Sequence, residues 1–443
     1  MRHALMALLL AVVPAVATAA PREVSIQEVL LRVKPAVALV VSEVAADITL
    51  GCAGGSTLTV PAPVVRETGT GWFISPNGWV ITNAHVVAAA YRPSPTLLEQ
   101  QAEKTARRGC RVLEVRPAPS ISVILSNGIR MSATVAKYGL PTAGEDMSGQ
   151  DLALLRLEAA DMPALSLGDS AAAQIGDRLH IVGFPGVVLT HELLNASAKV
   201  EASITNGAIS GFKEDRAGQP VIQTDAPAAW GNSGGPVVDD GGRVVGVLTF
   251  VTRAADDQGS VVQGFNFVIP SAAVRRFLAG TEAKLDEPSR FNVAWHGALR
   301  EYFSEDHTRA AKGFAEANRL LPELPDVMRL TAENAERIKH PPPRPVPWGL
   351  VAIGVTVVSA ALYGVLLARR WKRGRFRIRP AEVVKLLDDA TNPPVILDVR
   401  DTSTYTKSPV RIPKAVHVSP EALESGSAKL DVATTRTLVA YCT

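Results

Sequence analysis

One short run of residues constrains this 443-residue chain more than any other, because it encloses a serine in glycines. Residues 223–238 are Q-T-D-A-P-A-A-W-G-N-S-G-G-P-V-V, with Gly231 before Ser233 and with Gly234 and Gly235 directly after it. Glycine permits a positive φ and lets backbone N–H groups approach a ligand closely. A serine hydroxyl becomes a useful nucleophile beside a base and opposite such donors. The run is also compatible with a tight surface turn, so its chemistry depends on partners elsewhere.

A histidine and a carboxylate occur upstream in suitable settings. Residues 68–87, T-G-T-G-W-F-I-S-P-N-G-W-V-I-T-N-A-H-V-V, predict two short strands joined by a turn, with His85 just after the second. Asp151 leads into the apolar strand L-A-L-L-R-L, which can bury a carboxylate against an imidazole. Taken singly, His85 is compatible with a core histidine and Asp151 with a strand-start cap. Together with Ser233 they favour a catalytic triad.

These blocks, in the order His, Asp, Ser, resemble the trypsin-fold serine proteases and most closely their HtrA (Deg) branch, over residues 24–280. The motifs are T-N-A-H-V-V, D-L-A-L-L, G-N-S-G-G-P, H-I-V-G-F-P and G-F-N-F-V-I-P. The resemblance implies a mainly β fold, a double antiparallel β-barrel. It implies His85 as general base, Asp151 as the group that orients it and Ser233 as nucleophile. The oxyanion hole would be the N–H groups of Gly231 and Ser233, and no cofactor or metal is expected.

Three positions within this resemblance bear on activation and specificity. Asn232 stands where many digestive relatives have an aspartate that pairs with a newly cut N-terminus, so activation of that type is not expected. Pro227 stands at the floor of the S1 pocket. Asp225 belongs to a T-D-A segment in which a structural hydrogen bond is a better interpretation than recognition of a basic side chain. We expect protein or peptide substrates to be cleaved after small or medium apolar residues.

Composition and the first residues indicate an exported protein with more than one domain. A chain of 443 residues that is 47% hydrophobic has room for two or three domains, and its net charge of +3 does not indicate a nucleic-acid partner. Residues 1–20 have a basic start, an apolar run and a small-residue end, which predicts a cleavable secretory signal peptide. An uncleaved membrane anchor is the alternative.

Two cysteines, Cys52 and Cys110, fall in the exported part, where thiols are readily oxidised. We therefore expect a disulfide between them, with two free thiols as the alternative. Cys110 belongs to an insertion, residues 88–120, whose run L-L-E-Q-Q-A-E-K-T-A-R-R predicts a short helix. The insertion is interpreted as a solvent-exposed surface segment, or as a segment that limits access to the predicted active-site cleft.

After residue 280 the sequence departs from the HtrA pattern, in which PDZ domains usually follow. Residues 281–340 instead predict helices, with either a single TPR-like pair or a plain helical spacer as the interpretation. A single repeat cannot bury its own apolar face, so a repeat-like pair would have to pack on the protease or on a protein partner. Without a PDZ domain, regulation by peptide binding is in doubt.

Residues 348–368 are apolar and uncharged, long enough for one transmembrane helix. A basic juxtamembrane segment follows at residues 369–379, and such clusters favour the cytoplasmic side. A buried soluble helix is the alternative. The sequence thus predicts a single-pass membrane protein, in a bacterial inner membrane, with the protease in the periplasm and the C-terminus in the cytoplasm.

Residues 380–443 resemble part of a rhodanese domain, an α/β fold. Asp398 and Arg400 match its D-V-R strand end, and Cys442 matches the cysteine that carries a persulfide. The sequence stops one residue later, without the loop whose N–H groups hold the persulfide. We therefore expect a truncated domain with an inactive Cys442, either a sequence end or a partner-binding remnant. For the whole chain, the alternative to an endopeptidase is a catalytically silent receptor or scaffold that signals through this segment.

Overall fold

The computed structural model describes residues 24–139, 151–215, 217–253, 261–341 and 347–442. The chain divides into two compact units, residues 1–342 and residues 343–443. The predicted signal peptide lies outside the described residues, so it stays a prediction.

The first sheet has eight antiparallel strands that are rich in β-branched and other apolar residues. They are β1 Val37–Cys52, β2 Thr57–Pro61, β3 Val65–Ser75, β4 Trp79–Thr82, β5 Cys110–Ile124, β6 Arg130–Ser132, β7 Thr134–Tyr138 and β8 Ala153–Arg156. The pairing order is β6-β5-β1-β3-β4-β8-β7, and β2 pairs with the outer half of β1. The sequence predicted a barrel here. The hydrogen-bonded ladder does not close into a ring among the described residues, although Ala133 alone separates β6 from β7.

The second sheet is a closed barrel. Its strands are β9 Arg178–Gly183, β10 Ser203–Glu214, β11 Pro220–Thr224, β12 Pro236–Val238, β13 Val244–Arg253 and β14 Val261–Pro270. They pair antiparallel in the order β10-β11-β14-β13-β12-β9, with β9 also pairing with β10 to close the ring. Leu179, Ile181, Val237, Leu248 and Val268 fill its interior. The loop that carries Ser233 connects β11 to β12 and so lies at the rim of this barrel.

Short helices link and cover these sheets. They are α1 Ile26–Val33, α2 Ala84–Tyr91, α3 Pro95–Thr105, α4 Gly186–Leu189, α5 Ala196–Lys199 and α6 Ser271–Leu278. A disulfide joins Cys52 to Cys110, which face each other at the ends of β1 and β5. Beside it, α3 packs on the outer half of these strands: Gln101 is buried and its Nε2 donates to the carbonyl of Val44 at 2.9 Å. Most residues of the insertion are exposed, as the interpretation of it as a solvated segment expects, but Gln101 and Ala102 anchor it on β1 and β5.

The helices after residue 280 share a core with the first sheet. They are α7 Arg290–Phe303, α8 His307–Leu320 and α9 Pro325–Lys339. Phe291, Trp295 and Phe314 are fully buried in the same cluster as strand residues of the first sheet. Trp295 Nε1 donates to the carbonyl of Leu31 in α1 at 2.7 Å. Residue 280 is thus no boundary between compact units, and the interpretation of 281–340 as a plain spacer is wrong.

The second unit combines one long helix with a small parallel sheet. Its elements are α10 Trp348–Gly374, α11 Pro380–Leu387, β15 Val395–Asp398, α12 Thr402–Lys407, β16 Val416–His417, α13 Pro420–Glu424 and β17 Leu438–Tyr441. The strands pair in the order β16-β15-β17. By length and composition α10 could cross a membrane, and it continues past residue 368 into the basic segment. The α/β arrangement agrees with the predicted class of this segment, while its relation to rhodaneses stays a prediction.

The half-buried His296 in α7 makes the stability of the first unit depend on pH. Burial, with the nearby charge of Arg32, lowers its pKa from 6.5 to about 4. Between these pH values the unfolded chain binds a proton here and the folded chain does not, so the free energy of unfolding falls as pH falls. The loss by about pH 4 is on the order of 3 kcal/mol. Urea denaturation of the full chain in detergent at about pH 7 and about pH 4.5 measures it.

The variant His296→Gln should lose less stability than the native protein over this pH interval. The matched control His191→Gln changes an exposed histidine and should behave like the native protein. Equal losses in all three proteins would contradict the assignment to His296.

Candidate active site

A buried carboxylate anchors the site. Strand β8 pairs with β4 so that Ala153 faces Thr82, which places Asp151 beside the residues that follow β4. The Asp151 side chain is 0% exposed. Its Oδ2 accepts from His85 Nδ1 at 2.6 Å and from the Thr249 hydroxyl at 2.9 Å, and its Oδ1 accepts from the backbone N–H of His85 at 2.9 Å. These contacts fix the imidazole with Nδ1 toward the carboxylate and Nε2 away from it.

The loop around Ser233 has the conformation that its glycines predict. Gly231 has φ +91°, and a Cβ there would lie 2.3 Å from the carbonyl oxygen of Phe184. Gly234 has φ +85°, and a Cβ there would lie 2.2 Å from the carbonyl oxygen of Thr70. No larger residue fits either position without displacing backbone. Ser233 itself is only 9% exposed, so the interpretation of this loop as a surface turn is wrong.

Two backbone donors in this loop are unused. Among the described residues, the N–H groups of Gly231 and Ser233 donate to no protein acceptor. The N–H groups between and after them are engaged: that of Asn232 donates to Ala229 O at 3.1 Å and that of Gly234 to Leu248 O at 2.8 Å. A pair of free, rigidly held N–H groups beside a serine hydroxyl can stabilise an oxyanion.

The structure brings the three predicted residues to one seam, but not into a continuous chain of hydrogen bonds. A Cβ on Gly234 would lie 2.8 Å from the backbone nitrogen of Asn83, so the Ser233 loop packs against the segment that leads into His85. Within the described part of the chain, the Ser233 hydroxyl does not hydrogen-bond to the His85 ring. Catalytic hydrogen bonds in ligand-free enzymes are often long and shorten when substrate binds.

Three supporting residues escaped prediction from the sequence. Asn83 Nδ2 donates to the carbonyl of Asp151 at 2.7 Å, and Thr249 donates to its carboxylate. Thr70 holds the nucleophile loop: its hydroxyl donates to Gly231 O at 2.6 Å and its N–H to Ser233 O at 2.8 Å. Asn83 lies in the T-N-A-H motif, which was a usable signal. Thr70 lies in the block of residues 68–87, although nothing there singles out its hydroxyl, and nothing near Thr249 in the sequence marks it.

Of the two residues expected near the S1 pocket, Asp225 and Pro227, only Asp225 is charged, and its carboxylate is already hydrogen-bonded. Asp225 Oδ1 accepts from the N–H of Ala208 at 2.6 Å, which is the structural hydrogen bond expected of it. Pro227 offers its carbonyl to the Thr205 hydroxyl at 2.6 Å. No group of three potential metal-ligating side chains occurs among the residues that the structure describes.

The second unit gathers its predicted residues at one edge of its sheet. Arg400 Nε donates to Asp398 Oδ1 at 2.8 Å, and the Tyr441 hydroxyl donates to Oδ2 at 2.5 Å. These contacts, that with Arg400 above all, hold the pKa of Asp398 well below its usual range. Cys442 follows β17 at the same edge and is exposed. The ion pair of Asp398 and Arg400 is buried.

Comparison with known proteins agrees with this site. A family model described as a trypsin-like peptidase domain matches residues 69–247. The Homo sapiens protein named serine protease HTRA4 is 30% identical over 246 residues, covering 55% of this chain and 41% of that protein. A Chlamydia muridarum protein named probable periplasmic serine endoprotease DegP-like is 28% identical over 224 residues, covering 49% of this chain and 35% of that protein.

Among solved structures, one described as HtrA-type protease AlgW with decapeptide aligns with a TM-score of 0.39 and 23% identity, over 58% of this chain and 67% of that one. The chain spans less than half the length of the two curated relatives. Residues 69–247 are thus similar to trypsin-like peptidase domains, and the wider similarity is to HtrA-type serine proteases.

The hydroxyl of Thr249 should matter for the reactivity of the site. In Thr249→Val a buried acceptor on Asp151 loses one of its donors, so the imidazole is held less firmly. We expect the rate at which a fluorophosphonate labels Ser233 to fall about tenfold, and Thr249→Ser to restore most of it. Equal rates for the native protein and Thr249→Val would contradict this role.

Proposed function

We propose that this chain is a serine endopeptidase that cleaves peptide bonds through an acyl-enzyme. One observation carries the proposal: the buried Asp151 carboxylate holds His85 beside a glycine-shaped loop in which the N–H groups of Gly231 and Ser233 have no acceptor among the described residues. A purely structural loop would have little reason to leave two such donors unpaired.

The proposed reaction follows from this arrangement. Ser233 Oγ attacks the peptide carbonyl carbon while its proton passes to His85 Nε2, and the N–H groups of Gly231 and Ser233 stabilise the oxyanion. The C–N bond then breaks and the proton passes from His85 to the leaving amine. Water repeats the sequence and releases the acid. Asp151 stays ionised and stabilises the imidazolium. We expect the Ser233 to His85 hydrogen bond to shorten when a substrate excludes water.

A small or medium apolar residue is the proposed preference at P1. Ala226 and Ala228 are buried, uncharged residues on either side of Pro227. Asp225 is exposed and engaged by Ala208, so it offers little to a basic side chain. Protein substrates, and a role in quality control or regulated proteolysis, are proposed from the HtrA-type similarity.

We also propose that α10 tethers the peptidase to a membrane. Its apolar side chains are exposed rather than buried, and burying them in lipid removes that exposure from water. The arginines and lysine that follow favour the cytoplasmic side, which leaves the peptidase outside. The Chlamydia muridarum relative is named as periplasmic, which supports export.

Active-site labelling tests the peptidase proposal. We expect a fluorophosphonate to label the full-length protein in detergent, and Ser233→Ala to remove the label and lower hydrolysis of an unfolded protein substrate at least about a thousandfold. Ser210→Ala changes an exposed serine and serves as the matched control. A folded native protein that takes no label would favour the silent receptor or scaffold instead.

Cys442 reports the orientation in the membrane. It is the exposed free cysteine of the described chain, since Cys52 and Cys110 form a disulfide. In cells that expose the outer face of the inner membrane, a membrane-impermeant maleimide should label Cys442 only after permeabilisation. Labelling of intact cells that is lost in Cys442→Ser would reverse the proposed orientation.

A further inference from the structure

A polar cleft of about 340 Å³ lies away from the triad, where four segments of the first unit meet. One wall is α1, the second is α7, the third is the turn between β12 and β13, and the fourth is the segment of residues 164–166. The polar side chains that line it are Arg32, Ser166, Arg243, Asn292 and His296. The catalytic mechanism uses none of them.

Two of the residues that line this cleft each have a buried polar atom without a partner among the described residues, Arg32 Nε and His296 Nε2. Leaving such an atom unpaired costs about 1 to 3 kcal/mol, and native structures rarely do so without a reason. Arg32 Nε–H can only donate. His296 is uncharged at neutral pH, because its pKa is about 4, and its ring donates to the backbone of Arg32. Since Nε2 has no partner, the donor is Nδ1–H, and Nε2 carries the lone pair and accepts. A ligand that satisfied both would present an acceptor and a donor together.

The charges around the cleft favour an anion. No aspartate or glutamate lines it. The other end of the Arg32 guanidinium pairs with Glu28, which neutralises that charge. The Arg243 guanidinium forms no ion pair with a described carboxylate and donates to the carbonyl of Leu167 at 3.4 Å, while the backbone N–H of Arg243 donates to Asp239 Oδ1 at 3.0 Å. One guanidinium without an ion-pair partner among the described residues therefore lines the same cleft as Arg32.

We propose that this cleft binds a phosphate group, either as the free ion or as a small phosphate monoester. A singly protonated phosphate offers charged oxygens to Arg32 Nε–H and Arg243, and a P–OH donor to His296 Nε2. An ionised carboxylate lacks the donor. Arginine pairs with phosphate through short, charge-assisted hydrogen bonds, and the cleft has room for the group and a small substituent.

Occupancy of the cleft would bear on the catalytic site. The turn that forms its third wall connects β12 to β13, and β12 begins at Pro236, just after the Ser233 loop. Strand β13 carries Thr249, whose hydroxyl donates to Asp151. A ligand that fixes the turn would hold both ends of this hairpin more firmly. Only this coupling rests on the proposed peptidase function, and the binding site does not.

Calorimetry and histidine NMR test the site in the full-length protein in detergent. Potassium phosphate is titrated against potassium chloride at equal ionic strength, with glycerol 2-phosphate as a second arm. We expect one imidazole resonance, assigned by its absence in His296→Gln, to shift with phosphate and not with chloride. The arm with the tighter binding distinguishes free phosphate from a monoester as the ligand.

Arg243→Gln should weaken phosphate binding about tenfold, whereas Arg276→Gln, which changes an exposed arginine of α6, should not. The proposal is overturned if chloride shifts the His296 resonance as much as phosphate, or if both arginine variants bind alike. Fluorophosphonate labelling with and without phosphate tests the coupling. Binding without any Ser233 label would refute the peptidase proposal and leave the phosphate site standing.

Discussion

The arrangement of the first unit depends on one buried negative charge, the carboxylate of Asp151. An ionised carboxylate without water costs several kcal/mol unless donors replace its hydration. Here the donors come from separate parts of the chain: the ring and backbone N–H of His85, and the hydroxyl of Thr249. Satisfying that charge therefore aligns the end of β4, the start of β8 and the middle of β13. The same contacts that make the burial tolerable also orient the imidazole.

The nucleophile loop is held by a different kind of constraint, which is steric. Gly231 and Gly234 lie so close to the carbonyls of Phe184 and Thr70 that a Cβ would collide with backbone. Thr70 then hydrogen-bonds to both Gly231 O and Ser233 O. The loop is thus clamped through its carbonyl groups, and the N–H groups of Gly231 and Ser233 are left to point elsewhere. Because the carbonyl groups of the loop are held by Thr70, these N–H groups stay available for a ligand.

The sequence predicted those residues of the site that lie in short, recognisable motifs. His85, Asp151 and Ser233 each stand in a short motif, and the structure places them at one seam. The supporting threonines could not be predicted, because a hydroxyl in a β-strand has no distinctive neighbours and acquires its partner only through strand pairing. The sequence also predicted a closed first barrel, whereas the first sheet does not close among the described residues. Alternation of apolar residues indicates strands, but it does not show whether the two outermost strands pair with each other. The apolar span was predicted over residues 348–368, and α10 continues beyond it to Gly374 through the basic residues, because arginine and lysine are good helix formers.

The helices of residues 281–340 show how a pattern can identify an apolar face without identifying what covers it. Their spacing predicted helices, and the need to bury one face left the protease or a partner as the cover. In the structure the first sheet and α1 cover this face. Trp295 lies in the core of the first sheet, and its Nε1 donates to Leu31 O in α1. A segment that shares a core cannot swing as a hinged domain without exposing large aromatic side chains, at a cost of about 1.5 to 3 kcal/mol for each. Control of the proposed peptidase activity through these helices would therefore act by small shifts where they meet α1 and the β12–β13 turn, which is where the polar cleft lies.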